Sequence, residues 1–236
     1  MIDTVPSHIA LIPDGNRRWA KLHRLPALEG HRRGAEAMHT VVEHLIARKI
    51  NYLTVWGFST DNWKRSENEI QNIFNLLGLW VEKDTPWLNE RRVKLRHIGR
   101  LHELPPELQG VIMMAEDLTK QNLGLTLNLA FNYTGRAEIV DAVRHLIDSG
   151  RLFEPAVSRP QLDEELLGHY LQTDGIPDVD LVIRTAGEVR LSNFLLWQTA
   201  YSEFYFTPTL WPDFSTAEVD MALQEYSRRK RRFGGD

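Results

Sequence analysis

Short apolar runs alternating with helical repeats constrain this chain more than any other feature. His8-Ile9-Ala10-Leu11-Ile12, Tyr52 to Phe58, Val93 to Ile98, Leu125 to Phe131, Leu181-Val182-Ile183 and Glu203 to Phe206 read as strands, several of them rich in β-branched or aromatic residues. Between them apolar residues recur every three or four positions, as in Met38, Val41, Val42 and Leu45, or Ile70, Phe74, Leu77 and Val81, or Leu108, Ile112 and Ala115. This alternation predicts an α/β fold: a single domain over residues 1–236, with a mainly parallel central sheet of about six strands and helices on both faces. A chain of 236 residues, 42% hydrophobic and 25% charged, can fill one such core. Locally, Gly30-His31-Arg32-Arg33-Gly34 reads as a polar loop, and Pro86 as the end or kink of a long helix that starts after Ser66. Residues 151–160 read as a long loop, and Ala217 to Arg232 as a closing helix.

Sheets of this kind bind ligands beyond the carboxyl ends of their strands, and there the polar clusters fall. After the first strand, Pro13-Asp14-Gly15-Asn16 makes a turn, and Arg17, Arg18 and Trp19 open a helix. Unpaired amides and two arginines at a helix start suit a phosphate, and Asp14 fits beside a phosphate only if a cation such as Mg2+ lies between them. Taken alone, the same turn reads more readily as a helix cap at Asp14 or Asn16 with two solvated arginines. Arg65, Arg184, Arg190 and Ser192 follow later strands, and their repeated placement suits a diphosphate. The candidate catalytic carboxylates are Asp14 and Glu203, with Asp61 and Glu188 weaker, and there is no Asp-Asp-x-x-Asp cluster. His31 is the histidine best placed to give a proton to a phosphate. Trp56, Phe58, Phe74, Leu77 and Phe131 lie next to these strand ends; as an apolar tunnel behind a cationic rim, they would suit a hydrocarbon carrying a diphosphate.

Composition excludes other classes. A formal charge of -4 argues against a nucleic-acid partner. The absence of cysteine removes disulfides, thiolate metal sites and a thiol nucleophile. With no leader-like N-terminus and no apolar stretch of spanning length, the expectation is a cytoplasmic protein with at most peripheral membrane contact.

Taken together, Asp14-Gly15-Asn16-x-Arg18-Trp19-Ala20, Gly30-His31-x-x-Gly34, Phe58-Ser59-x-x-Asn62-Trp63-x-Arg65, Asn132-Tyr133-x-Gly135-Arg136, Asp180 to Thr185 with Glu188-x-Arg190-x-Ser192-Asn193-Phe194, and Trp211-Pro212-Asp213-Phe214 resemble the cis-prenyltransferase family, which includes undecaprenyl diphosphate synthase. The resemblance implies a homodimeric, Mg2+-dependent enzyme that condenses isopentenyl diphosphate with an allylic diphosphate such as farnesyl diphosphate into a Z-polyprenyl diphosphate. It implies that Asp14 and, across the dimer interface, Glu203 hold the metal. Gly15, Asn16, Arg17, Arg18, Trp19 and His31 would serve the allylic diphosphate, and Arg65, Arg184, Arg190 and Ser192 the isopentenyl diphosphate. Ser59 and Asn62 would position the reacting carbon and take part in proton removal, and Arg232 and Gly234 would reach into the partner's site. Ala27, Ala186, Val189 and Arg17 stand where many members carry arginine, glycine, histidine and glycine, which leaves room for another primer or for a branched condensation. A non-catalytic partner subunit is disfavoured because Asp14, Arg184, Arg190, Ser192 and Glu203 are all present.

Overall fold

The computed structural model describes residues 5–154 and 160–229. In chain order its elements are β1 (His8–Ile12), α1 (Asn16–Leu22), α2 (Ala27–Ala47), β2 (Tyr52–Phe58), α3 (Glu67–Glu90), β3 (Lys94–Ile98), α4 (Pro106–Thr119), β4 (Thr126–Phe131), α5 (Gly135–Asp148), α6 (Glu164–Gly168), β5 (Leu181–Arg184), β6 (Glu203–Phe206) and α7 (Thr216–Arg228). The six strands form one sheet in the order β3-β4-β2-β1-β5-β6, with every neighbouring pair parallel. The chain starts in the middle, builds outward through β2, then crosses to the other side for β5 and β6. The connections leave β1 and β5 in opposite directions, which opens a crevice beyond their carboxyl ends.

Side-chain alternation divides the core between the two faces. Ile9, Leu11, Leu53, Val55 and Leu127 pack against Val41 and Leu45 of α2, Phe74 and Val81 of α3, Ile112 of α4 and Leu223 of α7. Ala10, Ile12, Ala130 and Val182 face the other way and meet Tyr133, Phe194 and Leu195. On that second face His8, Thr54 and Asn128 form a fully buried polar ladder across three strands: His8 Nε2 lies 2.7 Å from Thr54 Oγ1, which also accepts a bond from Asn128 Nδ2 at 3.0 Å.

Two local expectations are corrected. Pro86 does not end the helix, because α3 continues to Glu90. The proline removes one backbone donor, a cost of about 3 kcal/mol in a helix interior. Burial of Val81 and Leu88 on either side, together with the packing of Trp87 on His39 at 3.8 Å, holds the helix through it. The Gly30–Gly34 segment is not a loop but the first turns of α2. Of the closing helix, α7 accounts for Thr216–Arg228, and Arg232 and Gly234 lie outside the described residues.

Burial holds the His97 ring down to a pKa of about 4, although its Nε2 lies 2.9 Å from the Phe131 carbonyl oxygen, which acts in the opposite sense. His8 and His31 are also lowered by burial. For such groups the unfolded chain, titrating near 6.5, takes up protons that the folded protein refuses. The protein is therefore expected to keep its full stability above about pH 6.5 and to lose up to about 3 kcal/mol through His97 alone as the pH falls toward 4. Urea unfolding of wild type and His97→Gln between pH 7 and pH 4.5 checks this: the variant should show a flatter dependence, and identical slopes would remove His97 as a cause.

Candidate active site

The first turn is held in place by residues far away in sequence. Asp14 N–H donates to Thr185 Oγ1 at 2.8 Å, and the Asp14 carbonyl accepts from the Thr185 hydroxyl at 2.7 Å and from Trp211 N–H at 3.0 Å. Gly15 adopts φ 108°, and a Cβ there would lie 2.9 Å from Leu210 Cδ2, so both backbone and space require glycine. The Asp14 carboxylate, half-buried, receives Arg184 Nη2 at 3.0 Å and lies 4.0 Å from Arg18 Nη2. The Arg184 guanidinium is buried and also donates through Nη1 to Ser192 Oγ at 2.9 Å and to the Arg190 carbonyl at 2.5 Å. Arg18 bridges outward to Glu188 at 3.8 Å, and Glu188 in turn takes Arg190 at 2.5 Å.

The glycines of α2 explain how His31 reaches this turn. A Cβ at Gly30 would sit 2.1 Å from the Asn16 carbonyl oxygen, and one at Gly34 would sit 2.4 Å from Asn16 Oδ1. They are present for the close approach of α1 to α2, which outweighs the helix propensity lost at each of them. His31 Nε2 is buried without a protein partner, and burial, aided by the positive charge of Arg65 and Arg17, lowers its pKa from the ordinary value. Arg65 and Arg17 both reach Glu69 Oε1, at 3.1 and 3.6 Å.

A 3-10 turn over Thr60–Lys64 brings in the third group. Ser59 caps it, with Oγ accepting from Asp61 N–H at 3.1 Å, while Asn62 Oδ1 accepts from Ser59 N–H at 3.0 Å. These three groups line one cavity of about 480 Å³. Its polar part carries Asp14, Asn16, Arg18, His31, Asn62 and Arg184, and the lining continues through Val55, Phe58, Leu77, Trp80, Leu129 and Phe131. Four buried polar atoms of its lining residues have no protein partner: Trp80 Nε1 in the apolar part, and Asn16 Oδ1, His31 Nε2 and Arg184 Nε in the polar part. A buried polar atom without a partner is costly, so the grouping of the last three points to a polar ligand.

The model of the undecaprenyl diphosphate synthase family matches residues 12–234. The chain belongs to that family of prenyltransferases. It is 45% identical to an isoprenyl transferase of Streptococcus pyogenes over 238 residues, covering 99% of this chain and 95% of the relative. It is 44% identical to an isoprenyl transferase of Thermotoga maritima, covering 98% and 97%. Among solved structures it resembles lavandulyl diphosphate synthase from Lavandula x intermedia in complex with dimethylallyl diphosphate, with a TM-score of 0.92 at 36% identity, covering 98% of this chain and 99% of that one. A probable undecaprenyl diphosphate synthase from Campylobacter jejuni superposes with a TM-score of 0.81 at 34% identity, covering 98% and 100%. Like its relatives, this prenyltransferase is a prenyl-transferring enzyme.

Most of the residues marked in the sequence converge in this prenyltransferase, and some do not. Asp14 to Arg18, His31, Ser59, Asn62, Arg65, Arg184 and Ser192 all line the cavity. Trp19 does not: its indole N–H is bound to Asp213 Oδ1 at 2.8 Å and its ring stacks on His23. Arg65 lines the cavity beside Arg17, Glu69 and His31. Arg190 sits exposed outside the lining, with Nε 3.2 Å from Ser192 Oγ. Glu203 opens β6 level with Leu181, at the opposite end of the sheet from Arg184, and pairs with Arg229 at 2.8 Å. Trp56, Phe58, Leu77 and Phe131 line the cavity, whereas Phe74 is core behind Phe58 and Phe131. Sequence reasoning missed Thr185 and Glu69, and left Trp211 without a task. Of these, only Thr185 and Trp211 fall in the motifs, and nothing local marks Glu69 as the shared partner of two arginines.

The departures from the family pattern also have places. Ala186 sits at φ 71°, a left-handed conformation that glycine enters without cost. Val189 is exposed, and Arg32, in the turn after Ala27, pairs with Glu29 and Glu36. Among the described residues no three His, Cys, Asp or Glu side chains gather as a metal cage. The donor set fits Mg2+ in the mode that uses one carboxylate, here Asp14, with the remaining positions left to phosphate and water.

Proposed function

We propose that this prenyltransferase condenses isopentenyl diphosphate with an allylic diphosphate, farnesyl diphosphate or a shorter primer, into a Z-polyprenyl diphosphate, with Mg2+ held at Asp14. One observation carries the reading: a single cavity joins a cluster of arginines, a carboxylate and an unpartnered histidine nitrogen to an aromatic and aliphatic lining. An amphiphile with a diphosphate head matches both parts, and the apolar part would act as the tunnel for its chain. Arg18, His31 and the first turn would hold the allylic diphosphate, and Arg184 and Ser192 the isopentenyl one. Mg2+, bound through Asp14, would neutralise diphosphate charge. Preorganised Arg18, Arg184 and His31 stabilise the negative charge that grows on the leaving diphosphate. Phe58, Leu77 and Phe131 keep water from the allylic cation, while Ser59 and Asn62 orient the attacking alkene and take part in removal of its proton.

A homodimer belongs to this reading. Glu203 can serve the metal only from a partner subunit, because in its own chain it lies at the far end of β6 with Arg229. The likeness to lavandulyl diphosphate synthase favours one second reading, a branched condensation of short diphosphates. No helix among the described residues is long and apolar enough to cross a membrane, and we read the enzyme as cytoplasmic.

Incubation with labelled isopentenyl diphosphate and C5 to C20 allylic diphosphates, with Mg2+ or with EDTA, tests these readings. The expected result is a Mg2+-dependent, labelled Z-polyprenyl diphosphate of defined length. A branched product would select the second reading, and no labelled product with any primer would overturn both.

A further inference from the structure

None of the side chains of Asn132-Tyr133-Thr134-Gly135-Arg136 lines the cavity, yet this corner touches both polar segments that do. On one side it supports the turn carrying Ser59 and Asn62. Asn132 is fully buried at φ 55°, and its amide is used completely: Oδ1 accepts the Trp63 indole N–H at 2.8 Å, while Nδ2 donates to Glu103 Oε2 at 2.8 Å and to the Arg100 carbonyl at 3.1 Å. Tyr133 N–H donates to the Phe58 carbonyl at 3.1 Å.

On the other side lies the loop after β5, whose backbone is left-handed at Ala186, Ser192, Asn193 and Leu195. Residues with a Cβ adopt that conformation at a cost and keep it only where the surroundings over-determine it. Here the first turn of α5 does so. Gly135 N–H donates to the Asn193 carbonyl at 2.7 Å and Arg136 N–H to Asn193 Oδ1 at 2.9 Å. A Cβ at Gly135 would lie 2.9 Å from the Leu196 amide nitrogen, so only glycine permits the approach. Phe194, next in line, stacks on Trp56 at 5.2 Å.

We infer that Asn193 is a positioning residue: clamped by the start of α5, it sets Ser192 for a diphosphate and fixes its distance from Ser59 and Asn62 through the shared corner. Its catalytic consequence rests on the function proposed above; the clamp itself does not. Asn193→Ala removes the side-chain acceptor and disfavours the positive φ. Asn193→Asp keeps the acceptor and tolerates that φ, so it is the rescuing control.

Hydrogen exchange, calorimetry with isopentenyl diphosphate and steady-state kinetics on the three proteins form the test. In Asn193→Ala, amides of residues 188–195 should exchange about tenfold faster or more, with the sheet amides unchanged. The affinity for isopentenyl diphosphate should fall about tenfold, and KM for it should rise in proportion, while kcat and the KM of the allylic primer stay within about twofold. Asn193→Asp should restore the slow exchange, while its added negative charge weakens diphosphate binding on its own account. Unchanged exchange in Asn193→Ala, or an Asn193→Asp protein whose residues 188–195 exchange as fast as in the alanine variant, overturns the clamp. Faster exchange restored by aspartate, in a wild-type protein with neither turnover nor isopentenyl diphosphate binding, would retain the clamp and overturn the function.

Discussion

Asp14→Asn is expected to lower kcat by about a thousandfold while the melting temperature stays close to that of wild type. The two halves of this result have separate causes. The fold survives because the asparagine Oδ1 still accepts from Arg184 Nη2, now at 3.0 Å from Asp14 Oδ2, so the buried guanidinium keeps its partner. Turnover is lost because the negative charge is lost, and that charge is what Asp14 offers to Mg2+ beside a diphosphate. A binding measurement separates this from damage to the site. With EDTA present, inorganic diphosphate should bind the variant as tightly as wild type or more so, since a carboxylate no longer repels it. With Mg2+ present, it should bind the variant more weakly. Near-normal kcat, or affinities that shift the same way with and without Mg2+, would remove Asp14 from the proposed metal site.

How far such a site can be read from sequence depends on how local its causes are. β1 and the turn after it were legible because four apolar residues run into Pro13-Asp14-Gly15, and strand–turn chemistry is local. The six strands and the cavity at their carboxyl ends followed from alternation. The order of those strands did not, because nothing in an apolar run names its neighbour. Gly30 and Gly34 misled for a related reason. Their local propensity disfavours helix, and the contact that outweighs it is made with Asn16 on another helix. Pro86 was overridden in the same way by the packing of α3. Trp19 belongs to Asp213, 194 residues away, and Glu69 collects arginines from two different elements. Pairings of that kind are properties of the fold, and a motif marks one member of each pair at best.

Arg184 shows how much of the site depends on one such pairing, 170 residues apart, and Arg184→Lys should expose it. The guanidinium spreads its donors over three acceptors, Asp14, Ser192 and the Arg190 carbonyl, and keeps Nε unpartnered. An ammonium is a single point on a flexible stem and cannot span that arrangement. Charge is conserved, so any loss reports on geometry. KM for isopentenyl diphosphate is expected to rise about a hundredfold, with a smaller effect on kcat and on the allylic primer. Stability should fall as well, by about 2 kcal/mol, which for a domain of this size is roughly 4–8 °C in Tm, because buried acceptors lose their donors. The two effects can be told apart by adding isopentenyl diphosphate during thermal melting. Wild type should be stabilised by it far more than the variant at equal concentration. An unchanged KM for isopentenyl diphosphate, or a rise confined to the allylic primer, would move Arg184 out of the isopentenyl half of the cavity and leave it with the structural task of holding Asp14 and the loop after β5.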